Sequence, residues 1–330
     1  MSRFVAALVL LASTVCLVAA QAGQVRVDVG PGNAFVPAAV NLNLGDHVVW
    51  VWKGVNVHTV TSGDGTTFTK DGKFDSDPSD FGTGVLSRFS WKSNVTGTVP
   101  YFCWIHADLG MLGTLTITDP GVVPRVPVAD FRITEVQYNR AAGQDLIEIT
   151  NYGAGPGNLG RYRIATGIAG STELVGPSAA TSDIIVASGG RVVIHLNASG
   201  TNTNADLFIA SFNPGTGLGN TSGQLALYVP NTISPGNALT NTDMLLDYVE
   251  WGSGGQTAEG TAVGAGFWAS SAFVPQIADG HSMEYCADSN LAHGANMWAE
   301  VSVPNFGTNG SCATPVLNET WGRVKKLYRK

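Results

Sequence analysis

Charge is scarce in this 330-residue chain: Asp, Glu, Lys and Arg make up 13% of it, about half the usual share. Basic residues are scarcer than acidic ones, 18 against 25. Several of the 18 (Arg323, Lys325, Lys326, Arg329 and Lys330) crowd the extreme C-terminus. That leaves no broad cationic face, which excludes nucleic acid binding through a basic surface. There is no helical pattern of useful length, so bundles and coiled coils are excluded. No apolar run after residue 22 is long enough to cross a bilayer. Histidine is limited to six residues, cysteine to four and methionine to five. Any metal chemistry must therefore be done with few ligands.

Glycine is plentiful, at 41 residues, with 15 prolines, and between these punctuation marks the apolar residues alternate. Val40, Leu42 and Leu44 alternate with Asn41 and Asn43. After the Gly45-Asp46 turn, Val48, Trp50 and Trp52 recur at period two. Period two means half-buried strands. Phe131–Tyr138, Leu146–Thr150, Arg191–Asn197, Gln224–Val229 and Leu245–Trp251 read as further strands. The fold class is all-β, and the length suggests two domains.

Residues 1–22 read as a secretory signal peptide. Arg3 supplies the charged start, Val5–Ala12 and Val15–Ala20 the apolar part, and Ala20-Gln21-Ala22 or Val18-Ala19-Ala20 the cleavage site. The expected location is periplasmic, extracellular or cell-surface, with no integral membrane span after cleavage. A first domain spans 24–118 and a Pro-rich linker 119–128, where Pro120, Pro124 and Pro127 favour extended chain. A second domain spans 129–312. Residues 313–330 form a basic tail, in which Trp321, Val324, Leu327 and Tyr328 would share a face if helical. A solvated terminus is the plainer reading of that tail.

The chemistry gathers at Cys103-Trp104-Ile105-His106 and Met111, with His58 well upstream. Strand-like stretches, Thr98–Cys103 and Gly113–Thr118, bound this loop. Two imidazoles, one thiolate and a weak axial thioether form a blue-copper ligand set. Sulfur suits Cu(I) and imidazole suits both oxidation states, so one geometry can serve both. Gly110 lets the backbone turn sharply before Met111. Zinc is the chemical rival, but a structural zinc site would favour another Cys or His over Met.

The order of an early His followed by C-x2-H-x4-M resembles the plastocyanin-type cupredoxins. The likeness extends to Tyr101-Phe102-Cys103, to Gly110-Met111, and to Phe35-x-Pro37-x-x-Val40 with Gly45-Asp46-x-Val48-x-Trp50. It implies an N-terminal Greek-key β-sandwich holding one mononuclear type 1 copper on His58, Cys103, His106 and Met111. It implies an electron carrier exchanging with redox partner proteins, and no catalytic residues. Those proteins usually carry Asn after the first His; here Thr59 stands there. Thr59 is expected to bond across to the Cys103 loop in its place.

The second domain resembles a lamin tail domain, an immunoglobulin-like β-sandwich. The likeness is carried by Arg132-Ile133-Thr134-Glu135-Val136-x-Tyr138-Asn139, Leu146-Ile147-Glu148-Ile149-Thr150-Asn151 and Leu245-Leu246-Asp247-Tyr248-Val249. Ala278–Glu284 and Val303-Pro304-Asn305 extend it. It implies an interaction or tethering module and no mechanism. Signal cleavage removes Cys16 and copper takes Cys103, which leaves Cys286 and Cys312 to pair as a disulfide.

Two rivals share the copper. A copper oxidase or nitrite reductase would need further ions held by His, yet His47, His195, His281 and His293 are scattered, with no His-x-His pair. A delivery protein would favour an open, Met- or His-rich site. Asp64, Asp71, Asp75, Asp77 and Asp80 form an acidic stretch that reads as solvated surface or a docking site for a basic partner. Glu135 and Glu148 belong to strands and read as structural, not as an acid–base pair.

Overall fold

The period-two runs become strands at nearly the expected bounds. The computed structural model describes residues 23–54, 56–76, 87–119, 121, 129–178, 182–213, 217–231, 238–286, 292–308 and 310. The expected signal peptide 1–22, Asp77 and Asp80, Pro120 and residues 122–128 of the expected linker, Cys312 and the tail 313–330 lie outside the described residues.

Among the described residues, nine strands build the first domain: β1 (Gln24–Val29), β2 (Phe35–Val36), β3 (Ala39–Asn43), β4 (His47–Trp52), β5 (Thr61–Asp64), β6 (Thr69–Asp75), β7 (Arg88–Lys92), β8 (Gly97–Phe102) and β9 (Leu112–Thr118). They form two sheets, in the orders β2-β1-β4-β7 and β3-β9-β8-β5-β6. The chain crosses repeatedly from one sheet to the other, as a Greek-key sandwich requires. Alternation decides what is buried: in β3, Val40 and Leu42 point inward while Ala39 and Asn41 stay exposed. Trp50 lies at the centre of the core, its ring centroid 5.1 Å from that of Phe74 and 5.5 Å from that of Tyr101. Cys103 and Met111 belong to the same buried cluster, so the ligand loop is sunk into one end of the core.

The second domain continues with β10 (Phe131–Gln137), β11 (Leu146–Asn151), β12 (Gly157–Asn158), β13 (Arg163–Ala165), β14 (Thr172–Glu173), β15 (Ile185–Val186), β16 (Arg191–Leu196), β17 (Asp206–Ile209), β18 (Gly223–Tyr228), β19 (Leu245–Trp251), helix α1 (Glu259–Gly264), β20 (Ser282–Tyr285) and β21 (Trp298–Val301). A sheet in the order β17-β16-β11-β10-β20-β21 faces one in the order β14-β13-β18-β19. Ile133, Ile147 and Ile194 from the first meet Leu225, Val249 and Trp251 from the second in one core. Tyr138 stacks on Trp251 at 4.9 Å. This is a second β-sandwich, and the expected all-β class holds for both halves. Among the described residues, the six-residue α1 is the one α-helix, and no helix is long and apolar enough to cross a membrane.

Glu135 and Glu148 are directly paired across β10 and β11, and both are buried. Glu135 accepts from Ser282 Oγ at 2.5 Å and from the Asn305 amide at 3.1 Å. Glu148 accepts from Arg191 at 2.9 Å and from the Gly307 amide at 2.7 Å. The two carboxylates thus pin the segment after β21 to the sheet. Burial, with the neighbouring charges of Glu148 and Glu284, pushes Glu135 up from the usual carboxylate range.

In the first domain the departure from the alternating pattern is β4, as it is β10 and β19 in the second. All six residues of β4, His47-Val48-Val49-Trp50-Val51-Trp52, are buried. Val48, Trp50 and Trp52 face the first core. The other face, with His47, Val49 and Val51, is turned to the second sandwich. His47 Nε2 donates to the Asp243 carbonyl at 2.5 Å. Ser90 Oγ on β7 donates to the Pro230 carbonyl at 2.5 Å. Tyr162 hydroxyl donates to Gln24 Oε1 at 3.3 Å. Arg26 pairs with Asp183 at 2.8 Å, and Arg88 pairs with Glu173. A cleft of about 510 Å³ between the two sandwiches is lined by Val40, Val49, Val51, Phe131 and Ile185. The two domains are therefore docked, not merely joined.

Candidate metal centre

Each candidate ligand is placed by backbone that the sequence dictates. β8 ends at Phe102, so Cys103 leaves the sheet at its buried edge. A single 3-10 turn, Ala107–Leu109, follows. Gly110 closes it in the left-handed region, at φ 83°, which favours glycine. The turn ties itself together. His106 N donates to Cys103 O at 3.2 Å, Met111 N to His106 O at 3.1 Å, and Cys103 N to Met111 O at 3.1 Å. Met111 is thereby returned beside Cys103, and both are fully buried.

His58 arrives from the other side, just before β5. Its Nδ1 lies 3.1 Å from His106 Nδ1 and 3.9 Å from Cys103 Sγ. His106 Nδ1 lies 3.5 Å from Cys103 Sγ. Bonds of about 2.0 Å to imidazole nitrogen and about 2.3 Å to thiolate, at tetrahedral angles, place such atoms about 3.3 Å apart for N–N and about 3.5 Å for N–S. Two sides of the triangle, 3.1 and 3.5 Å, lie close to these separations, and the third, between His58 and Cys103, is longer at 3.9 Å. Among the described residues these three are the one group of His, Cys, Asp and Glu side chains drawn together in this way. Burial first, and then the facing His106, lower His58 below the usual histidine range. His58 is therefore neutral at neutral pH, the state in which imidazole binds metal.

Thr59 does bond across the two loops. Its Oγ1 accepts from the Trp104 amide at 2.7 Å. Its own amide donates to Cys103 Sγ at 3.3 Å, which ties the two loops together a second time. The sequence pointed to Thr59 but not to what stands behind it: Thr61, Asp75, Lys70 and Phe68. One signal was available, since Thr59 and Thr61 are two apart and share a face of an extended chain.

The outer face of the loop is mostly apolar, with Asp108 the exposed charge on it. Trp104 is 39% and Leu109 63% exposed, and Ile105, Leu112 and Phe68 are exposed beside them. Leu112 and Phe102 leave no room for a side chain at Gly65: a Cβ there would lie 2.4 Å from Leu112 Cδ2. The turn between β5 and β6 thus packs directly on the ligand loop.

The remaining histidines of the second sandwich stand apart from this centre. His195 pairs with Asp206 at 3.0 Å, His281 with Glu300 at 2.5 Å and His293 with Asp247 at 3.1 Å. In the acidic stretch, Asp75 pairs with Lys70 and Asp71 with Lys73, each at 2.5 Å, while Asp64 accepts from Thr66 at 2.6 Å. Cys286 is disulfide-bonded; its expected partner Cys312 lies outside the described residues.

No family model matches the chain, and no curated protein does. Among solved structures, a purple cupredoxin from Nitrosopumilus maritimus is 20% identical, over 28% of this chain and 98% of that one, at a TM-score of 0.25. The oxidized form of plastocyanin from Dryopteris crassirhizoma is 23% identical, over 28% of this chain and all (100%) of its own, at 0.22. A Sinorhizobium pseudoazurin is 21% identical, over 30% of this chain and 76% of its own, at 0.23. Each likeness spans less than a third of the chain.

Proposed function

We propose that the chain is an exported electron carrier with one mononuclear type 1 copper, which His58, Cys103 and His106 would hold with Met111 as a weaker fourth ligand. The observation that carries this reading is the triangle of His58 Nδ1, Cys103 Sγ and His106 Nδ1, with sides of 3.1, 3.5 and 3.9 Å. Met111 lies buried in the same cluster as Cys103. Bound copper would supply one-electron redox chemistry. The chain's residues do the rest. Loops locked to each other through Thr59 keep the ligands in one arrangement in both oxidation states. The closed core keeps water from Cys103 and Met111. The apolar rim of Trp104, Leu109 and Leu112 lets a redox partner protein approach the half-buried His106 closely.

The second sandwich, in this reading a lamin-tail-like module, serves attachment or partner binding and carries no redox group. Electron transfer, and not turnover of a substrate, is the proposed role. The test is the visible spectrum of the protein titrated with Cu(II). An intense thiolate-to-copper band, lost on reduction and absent in Cys103→Ser, is the expected result. A colourless complex of the wild-type protein would sink the reading. A stoichiometry above one copper per chain would favour a multicopper oxidoreductase, and binding without reversible reduction would favour delivery.

A further inference from the structure

Behind the ligand loops runs a chain of hydroxyls that ends on a carboxylate. The Trp104 amide donates to Thr59 Oγ1 at 2.7 Å. Thr59 Oγ1 lies 3.3 Å from Thr61 Oγ1, and Thr61 Oγ1 donates to Asp75 Oδ1 at 2.8 Å. Counting protons fixes the direction. An ionised carboxylate only accepts, so the single Thr61 proton goes to Asp75. The proton between the two hydroxyls then belongs to Thr59, whose lone pairs face the Trp104 amide. All three donors point toward Asp75, and each donation makes the donating oxygen a better acceptor for the bond before it.

The path also returns to its start. Asp75 Oδ2 holds Lys70 Nζ at 2.5 Å, and that ammonium sits 4.9 Å from the centre of the Trp104 ring. Phe68 and Phe102 meet the same ring at 5.9 and 5.8 Å. The β5–β6 ladder sets this up, because its register places Thr61 opposite Asp75. Lys70 and Asp75 are both partly exposed, so their ion pair alone contributes little. Thr59 and Thr61 are buried, and there the direction of the bonds matters.

We propose that Asp75 is a positioning residue for the metal-binding loop. Through Thr61 and Thr59 it holds the Trp104 amide, and through Lys70 it holds the Trp104 indole. It thereby fixes the Cys103–His106 segment against the loop that carries His58. The inference rests on the reading of His58, Cys103 and His106 as copper ligands, but its first test needs no copper.

In the metal-free, full-length protein, hydrogen exchange at the Trp104 amide reports the chain directly. Thr61→Val keeps the shape and removes the hydroxyl; Asp75→Asn removes the charge. Each should speed exchange at Trp104 about fivefold, the equivalent of one ordinary hydrogen bond, while the Leu115 amide in β9 keeps its rate. Thr61→Ser, which restores the hydroxyl, should exchange as the wild type does. Unchanged exchange at Trp104 in both Thr61→Val and Asp75→Asn would overturn the proposal. So would equal acceleration at Trp104 and Leu115, which would mean general loosening. Copper titration is the second arm. A displaced thiolate-to-copper band in Thr61→Val and Asp75→Asn, with a wild-type band in Thr61→Ser, supports the proposal. Identical bands in all four proteins would overturn it. If the wild type itself gives no band, the copper reading fails, and the exchange rates alone decide whether Asp75 positions the loop.

Discussion

His47 should make the docking of the two sandwiches sensitive to acid. It is buried between them, and its Nε2–H donates to the Asp243 carbonyl. Its other ring nitrogen is buried without a partner among the described residues. Burial, helped by the nearby Lys92 and opposed by Asp243 and Asp46, lowers its pKa from 6.5 to about 4. The unfolded chain therefore takes up a proton near pH 6.5 that the folded chain refuses until about pH 4. The stability that depends on neutral His47 is complete above about pH 6.5. It falls by about 1.4 kcal/mol per pH unit below that, down to about pH 4. Between pH 7 and 4.5 the loss attributable to this one residue is about 2.5 kcal/mol. His47→Gln keeps an N–H for the Asp243 carbonyl and removes the titration. Urea unfolding of the metal-free wild type and of His47→Gln at both pH values gives the difference directly, because contributions from other groups cancel. The variant should lose about 2.5 kcal/mol less than the wild type over this interval. Equal losses would show that His47 is not held neutral against the second sandwich.

Met111→Leu should raise the reduction potential, since Cu(II) loses more than Cu(I) when a weak donor is removed, and Met111→Gln should lower it; voltammetry showing no shift in either would remove Met111 from the axial position. Non-reducing peptide mapping should find Cys286 joined to Cys312. That bond closes a loop of about 26 residues and should stabilise the second sandwich by roughly 3 kcal/mol, and recovery of both thiols free would refute the pairing. A chain truncated at Asp119 keeps all four proposed ligands and should keep the copper spectrum. It also bares the face of His47, Val49 and Val51, so sedimentation should show self-association, or urea a lower midpoint, relative to the full chain. A truncated chain as stable and monomeric as the whole would show that the docked face adds nothing.

Most of the candidate site could be read from the sequence because its proposed ligands are rare residue types, three of them on one short loop. Cys103, His106 and Met111 lie within nine positions, and strand patterns on both sides fix where the loop begins and ends. The long strands were legible for the same reason: β10, β11, β16, β18 and β19 each start or stop within a residue or two of the alternating runs. The docking was not legible. Alternation tells that a strand has two faces, and β4 has apolar residues on both, His47 aside, but nothing local says what covers the second. That depends on Asp243 and Pro230, some 140 to 200 positions away in the chain. Asp75 was hidden in a similar way. In the sequence it is one of five acidic residues in a polar stretch; only the register of β5 and β6 brings it to Thr61. Glu135 and Glu148 became intelligible only when the segment at Asn305 and Gly307 returned to them.

The contacts between the sandwiches lie along the β2-β1-β4-β7 sheet, whereas Trp104, Leu109 and Leu112 lie at the loop end and remain exposed. A carrier on a slack leash could swivel to present that end to a donor and then to an acceptor. The first sandwich of this chain cannot swivel so at the hinge, because Arg26, His47, Arg88 and Ser90 each hold a residue of the second sandwich. Whatever the second sandwich is anchored to then also sets the direction in which Trp104 and His106 face. In the proposed role, donor and acceptor would have to come to that bearing, or the whole chain would have to tumble between them.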